Sequence, residues 1–482
     1  MTLSKARLIL TACLPFALGA CAVTAPPAQV QATPPLVWQA SLPHQGSLAD
    51  MAQWWTQLGD PVLVELIDAA QAISPGLAQA QSRIAQARAT QVASRAALLP
   101  SVDAQASASR GFNEQLAGIA TTAQTGLQAS WELDLFGANR ATRTAAEERL
   151  AGAQALWHEA RVSVAAEVAQ QTSSLRTCLA QLRVAERDAQ SRSETSRLSG
   201  LSERAGFTAP ATAALASASA AEAQARVSQQ RMLCDVEVKT LVALTGWEER
   251  ALRSRLSTPA PAAPDTLFAI AALPAQVLAQ RPDVYSAERE MAAASAEVGS
   301  AQAQRYPRLS LSGTVGAAWV RSGGVTTDLS TWTLGPLALS VPLFDGGRRV
   351  AQVDAAQARY DEATSLYRAK VRQAVSEVEQ ALVRLQSTGE RNASARAAAE
   401  GYRTSFDATE ARWRGGLASL VELEDARRTS LAAENALIAL QHERQVAWVA
   451  LYRAAGGGWA PQVPTPPHAA SANPLAAVTA AR

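Results

Sequence analysis

The chain of 482 residues carries 44 Lys+Arg against 42 Asp+Glu, for a formal net charge of +2, and is 48% apolar but only 5% aromatic. Alanine fills 107 positions, and it is the best helix former because it loses no side-chain entropy on folding. Long helices packed through small side chains are therefore expected, while an aromatic-rich core, wholesale disorder and a general pull towards nucleic acid are excluded.

The chain opens with a basic patch, Lys5 and Arg7, followed by a 13-residue apolar stretch, Leu8 to Ala20. That stretch is too short for a membrane-spanning helix, which needs about 20 residues, and reads as a signal peptide over residues 1–20. It ends in Leu18-Gly19-Ala20-Cys21, which resembles a bacterial lipobox, with the sulfur of Cys21 acylated and Cys21 the first residue of the mature chain. An ordinary secretory signal that happens to contain cysteine is the alternative. The next residue is Ala22 rather than an inner-membrane-retaining Asp, so the resemblance implies outer-membrane lipid as the destination. Loss of Lys5 and Arg7 with the signal leaves 42 basic and 42 acidic side chains. Residues 21–50 are Pro- and Ala-rich and are expected to be extended or disordered.

The remainder is a duplication. Pro75 to Pro100 and Pro282 to Pro307 open the two halves at an offset of 207. Leu135-Phe136-Gly137 with Arg140 parallels Leu343-Phe344-Asp345 with Arg348 at 208. Arg204-Ala-Gly206 parallels Arg414-Gly-Gly416 at 210, and Thr245-Gly246 parallels Ala455-Gly456 at 210. The repeats span residues 51–246 and 276–459, joined by a Pro-rich linker at 247–275 and followed by a disordered tail at 460–482. Each is expected to begin with a helix of about 25 residues opened by proline. Two period-two segments follow, at about 101–113 and 122–136 in the first repeat and 308–321 and 331–344 in the second. Their length suits tilted membrane strands, and Trp131, Trp319 and Trp332 are candidates for interfacial girdles or for ordinary burial. A helix of some 66 residues, about 99 Å at 1.5 Å per residue, then runs to a glycine-marked turn. The two shorter helices of each repeat sum to about 98 Å and, stacked end to end, would match the long one. Four strands cannot close a barrel, and a membrane sheet must close, so the chain must oligomerise; three copies supply twelve strands.

Cys178 and Cys234 are equidistant from Gly206. A hairpin folded there brings them level, so a disulfide between them is expected, with two small buried residues as the alternative.

Trp54-Trp55 with Asp60-Pro61, Trp131-Glu-Leu-Asp-Leu-Phe-Gly137, Arg281-Pro-Asp283, Pro342-Leu-Phe-Asp-Gly-Gly347 and Gly456-Gly-Gly-Trp459 resemble the outer membrane factor family, the TolC-like channels. The lipoprotein branch that pairs with resistance-nodulation-division pumps is most similar. The resemblance covers about residues 50–459. It implies a mainly α fold with a membrane β-barrel: a homotrimer whose 12-stranded barrel continues into a periplasmic α-helical tunnel. The implied function is the outer-membrane channel of a tripartite efflux system, working with a periplasmic membrane fusion protein and an inner-membrane transporter. In such channels an acidic pair lies near the tunnel tip, and Glu422 and Asp425 fall on those positions, three apart on one helix face. Rings of these carboxylates would favour cations, and Arg412 and Arg414 are candidate latch residues; a solvated helix start is the plainer reading. The first repeat departs from this, since Thr208-Ala-Pro210 is followed by no acid before Glu222.

No catalytic constellation, metal site or cofactor motif is recognised. His44, His158, His442 and His468 are scattered without metal-ligand spacing, and no phosphate-binding loop occurs, so energy must come from a partner. A membrane-fusion adaptor would need lipoyl-like domains around a single hairpin, and a structural helical lipoprotein would not need Trp-bearing strands.

Overall fold

The structure is a computed structural model and describes residues 23–44, 54–114, 118–257, 266–267, 269–272 and 274–460. The expected signal peptide, Cys21 and the tail beyond Ala460 lie outside the described residues.

Nine helices and four strands are described: α1 Pro61–Ile73, α2 Pro75–Ala96, β1 Ser101–Asn113, β2 Gly118–Leu133, α3 Ala138–Arg204, α4 Pro210–Thr245, α5 Glu249–Leu256, α6 Pro274–Ala279, α7 Pro282–Ala303, β3 Arg308–Ser322, β4 Val325–Ser340, α8 Arg348–Arg414 and α9 Leu420–Ala454. Helices α3 and α8 are 67 residues each, about 100 Å. Helix α3 packs against α2, α4, α7 and α9, and α8 packs on α7 and α9.

The short helices meet end to end. In the first repeat Gly246, just past α4, abuts Ile73, which precedes the Ser74 cap of α2. In the second, a Cβ on Gly456 would lie 2.2 Å from the Gln280 carbonyl, so only glycine fits between α9 and α7. The Arg281 guanidinium closes this joint: it donates to the Ala454 carbonyl at 2.7 Å and pairs with Asp283 and Glu377. Nearby Glu159 has its carboxyl pushed up, first by burial and then by the charge of Asp283. The largest apolar cluster surrounds both joints, drawing on Leu66, Ile67, Leu175, Leu241, Leu252, Ile270, Leu382, Trp448 and Tyr452.

Two local sequences set the long helices in place. The Asp134 carboxylate accepts the backbone N–H groups of Asn139 and Arg140 at the start of α3. Asp345 accepts those of Gly347 and Arg349 at the start of α8. These carboxylates satisfy orphan N–H groups and the helix dipole. They also end the strands early: the segments expected at about 122–136 and 331–344 pair instead over 118–133 and 325–340, because the Leu-Asp-Leu-Phe and Leu-Phe-Asp runs serve as caps. At their other ends the strands extend through Thr-rich stretches whose side chains carry no apolar period but whose backbones continue the ladder.

The strands form one antiparallel sheet in the order β1-β2-β3-β4. Its register separates two faces. Val102, Leu127, Trp131, Leu309, Leu311, Val315, Trp319, Trp332, Leu334, Leu337 and Leu339 share one face. Asp103, Gln105, Gln128, Ser130, Ser312, Thr314 and Thr333 share the other, where Gln105 bonds Gln128 at 2.6 Å and Thr314 faces Thr333 at 2.7 Å. On β4 the apolar positions switch from even to odd numbers. A bulge permits this: Gly335 and Pro336 lie opposite the single residue between Leu311 and Gly313. Trp131 and Trp319 lie near opposite ends of the apolar face, whereas Trp332 sits mid-face opposite Val315.

The segment 23–44, expected to be extended or disordered, is extended and docked. Its Pro26 and Pro27 carbonyls accept from Ser295 and Tyr360 at 2.5 and 2.9 Å. Glu379 accepts the backbone N–H groups of Gln39 and Ala40, and Trp38 is buried with its indole donating to Ala271. Part of the expected linker is also helical, with Leu252 and Leu256 of α5 buried in the central cluster.

Candidate gate at the hairpin tips

Helices α3 and α4 form one hairpin, α8 and α9 a second. Both turns are built alike. Gly206 (φ 81°) and Gly416 (φ 74°) take left-handed conformations, and the next residue closes back on the helix end: Phe207 N to Ser202 O at 2.9 Å and Leu417 N to Arg412 O at 2.8 Å. The apolar residue after each glycine points away, with Phe207 87% and Leu417 73% exposed.

The second hairpin restarts with a capping box: the Ser419 hydroxyl accepts from Glu422 N at 3.2 Å, and the Glu422 carboxylate accepts from Ser419 N at 2.6 Å. That backbone bond holds the exposed Glu422 carboxyl below its ordinary range. Asp425 is exposed and pairs with Arg428. Arg412 donates to the Leu417 carbonyl at 3.1 Å, and Arg414 pairs with Glu410 at 3.2 Å. These hydrogen bonds and ion pairs stay within the second hairpin, although the charge of Arg414 also acts on Glu194 of α3.

Near the tips the hairpins already touch, where Ala216 of α4 packs with Leu420 and Leu423 of α9, and a polar junction lies about 18 Å above the turn, twelve residues before the α3 terminus. Arg192 of α3 is buried and grips Asp188 at 2.8 Å, and it also reaches Ser219 of α4 and Glu424 of α9. Arg427 of α9 is 2% exposed; it pairs with Glu424 at 2.5 Å and donates to Ser191 and Thr195 of α3 at 3.0 and 3.1 Å. Ser191 in turn donates to Glu410 of α8, and Phe406 of α8 lies beneath the Arg427 guanidinium at 5.5 Å. All four helix arms meet in one buried ionic cluster. Sequence reasoning missed it, although the signal was present: Leu420, Leu423, Arg427 and Ser430 share one helical stripe, as do Val184, Asp188, Arg192 and Thr195. Charge on a buried stripe is the mark of a junction held by specific pairing.

Further up the first hairpin, Cys178 and Cys234 are disulfide-bonded with Cα atoms 5.5 Å apart, stapling α3 to α4. Among the described residues no group of His, Cys, Asp and Glu is placed to hold a metal ion, and no helix is long and apolar enough to cross a membrane.

The profile of the outer membrane efflux protein family matches residues 66–247 and 273–457, one match per repeat. The chain belongs to the outer membrane efflux protein family. Outer membrane protein OprJ of Pseudomonas aeruginosa is 30% identical over 455 residues, 92% of this chain and 94% of its own. The pyoverdine export outer membrane protein OpmQ of the same species is 28% identical, covering 94% of this chain and 96% of its own. The toluene efflux pump outer membrane protein TtgI of Pseudomonas putida is 29% identical over 83% of this chain and 86% of its own. Among solved structures, the OprN outer-membrane channel superposes with a TM-score of 0.79 at 27% identity, covering 91% of this chain and 99% of that one. The open-state MtrE channel of Neisseria gonorrhoeae gives 0.74 at 25% identity, covering 91% and 99%. The protein therefore has the fold of TolC-like channels and is an outer-membrane efflux channel protein, of a family of channels rather than enzymes.

Proposed function

We propose that three copies assemble into one duct: a 12-stranded barrel in the outer membrane, continued by a periplasmic helical tunnel gated at the hairpin tips. The observation that carries this reading is the sheet. Four strands have an apolar face, a polar face and two unpaired edges, and a bilayer satisfies no edge hydrogen bonds. Closure by partner strands puts the polar face on the lumen and the apolar face on lipid. Helices of about 100 Å below such a barrel suit a conduit across the periplasm.

The tips are the partner-facing end. Phe207 and Leu417 offer exposed apolar contacts to a periplasmic membrane fusion protein, which couples the duct to an inner-membrane transporter that supplies the energy. The cargo is small molecules, such as drugs or toxic compounds. Glu422 and Asp425 line the narrow end as carboxylate rings, with Arg412 and Arg414 bracing the turns and the Arg192–Glu424–Arg427 cluster holding the hairpins together. Cys21 carries the lipid. The docked segment that follows it lies close to the strand-bearing end of α7, since the Pro26 contact on Ser295 is about 12 Å of helix from that end.

The test is planar-bilayer recording on purified protein, with native mass spectrometry for the assembly state. A trimer with cation-selective conductance that loses selectivity in Glu422→Ala/Asp425→Ala is the expected result. A soluble monomer overturns the duct, and unchanged selectivity in the variant overturns the gate assignment.

A further inference from the structure

Two arginines break the pattern of the apolar sheet face. Arg110 of β1, Thr121 of β2, Arg321 of β3 and Thr326 of β4 are register partners in one row across the sheet. The row belongs to the same face as Val102, Leu127, Val315 and Trp319. Both arginines are exposed. Neither forms an ion pair among the described residues; Asp328 lies one row nearer the helices, opposite Trp319, without reaching Arg321.

Their height is informative. From the Leu133–Leu309–Leu339 row to the Trp319 row is ten residues of β3. At about 3.4 Å per residue and a tilt near 40°, this is about 26 Å, the height of a membrane barrel's apolar band. The arginine row lies two residues further, about 31 Å from the lower row. It is at the end of the strands away from the helices, beside the Gly323-Gly324 turn. With alternate strands about 10 Å apart, the tilt offsets the two guanidiniums by about 6 Å in depth, within the reach of arginine side chains that extend towards the interface. Phe112 and Ile119, opposite each other one row beyond Arg110, continue apolar contact on that side.

We propose that Arg110 and Arg321 form a binding surface for the phosphate groups of the phosphorylated glycolipid of the outer leaflet. Thr121 and Thr326 add hydroxyl donors, and Trp319, one row nearer the helices, takes the acyl chains. Guanidinium groups match phosphate in a bidentate fork. A protein partner or the neighbouring subunit does not fit this surface, because β3 is an interior strand and its apolar face is turned to lipid. The proposal rests on the orientation given above, with the helices on the periplasmic side.

The test is native mass spectrometry of the purified channel in detergent, using a bisphosphorylated lipid A, the same lipid with its phosphates removed, phosphatidylglycerol and inorganic phosphate as probes. The wild type should hold one lipid A per chain, at least tenfold more tightly than the dephosphorylated lipid. Arg110→Gln/Arg321→Gln should lose that difference, Arg110→Lys/Arg321→Lys should keep part of it, and Arg88→Gln, an exposed change on α2, should keep all of it. Equal binding by the Gln pair, or equal displacement by phosphatidylglycerol or free phosphate, overturns the proposal. Ser322→Cys, labelled in intact cells by an impermeant maleimide, separates the two failures. No labelling removes the orientation and the proposal together, whereas labelling with unchanged lipid A binding removes the proposal alone.

Discussion

Arg427 is buried to 2% exposure with its Nε lacking a hydrogen-bond partner among the described residues, and burial pulls its guanidinium below the ordinary arginine range. It is held by Glu424, Ser191 and Thr195, so its removal leaves Glu424 with Arg192 and the Ser219 hydroxyl. Losing one member of a buried ionic cluster costs about 3–5 kcal/mol. Arg427→Ala should therefore loosen the junction between the hairpins and raise open-channel conductance, measured in planar bilayers beside a wild-type control. His44, His158 and His442 are each held below the free imidazole value of 6.5, chiefly by burial. Such groups stay neutral in the fold while the unfolded chain takes up protons, so stability is full above pH 6.5 and declines as pH falls through it. Melting curves at pH 7.5 and 5.5 should show this loss, and His442→Gln, which removes the imidazole 3.0 Å from Ser173, should flatten part of it. At this scale the sequence was only partly legible. Acids near a glycine turn drew attention to Glu422 and Asp425, which in one chain serve a capping box and an i,i+3 pair. Arg192, Glu424 and Arg427 act through partners on other helices, and their long-range pairing is invisible until the hairpins are folded.

Among the elements, the long helices were readable because a 67-residue alanine-rich run between a capping aspartate and a glycine has little else to become. Helix α1 was missed, although Leu63, Leu66, Ile67 and Ala70 carry a clear helical period. Strand limits were harder, since an aspartate cap and a strand end compete for the same residues and the β4 bulge reverses the parity that a period-two reading depends on. The disulfide belongs to this scale. Its 56-residue separation removes loop freedom worth about 4 kcal/mol from the unfolded chain. Peptide mapping without reductant should recover Cys178 and Cys234 joined, and reduction should lower the melting temperature of the α3–α4 hairpin. Free thiols in protein isolated from an oxidising periplasm would refute the staple.

For the whole molecule, the apolar tips and the sheet edges lie at opposite ends, so assembly and partner docking should separate cleanly by mutation. Phe207→Asp/Leu417→Asp leaves the strands untouched. It should abolish efflux, scored as drug susceptibility of a complemented deletion strain, while trimer yield and bilayer conductance stay at wild-type values. Retained efflux would show that the partner docks elsewhere. The duplication made this architecture visible early, because two copies of each landmark outweigh the weakness of any single motif.

The joints at Gly246 and Gly456 share one apolar cluster and so one height. An unbroken helix resists torsion through its ladder of backbone hydrogen bonds, and across each joint that ladder is interrupted. In every chain two continuous helices thus run beside two jointed ones, and the compliance of the wall is concentrated in a single belt. In the trimeric duct proposed above, torque applied at the tips would be spent in that belt, so that the barrel's seal against the lipid bilayer would be mechanically insulated from movements at the far end.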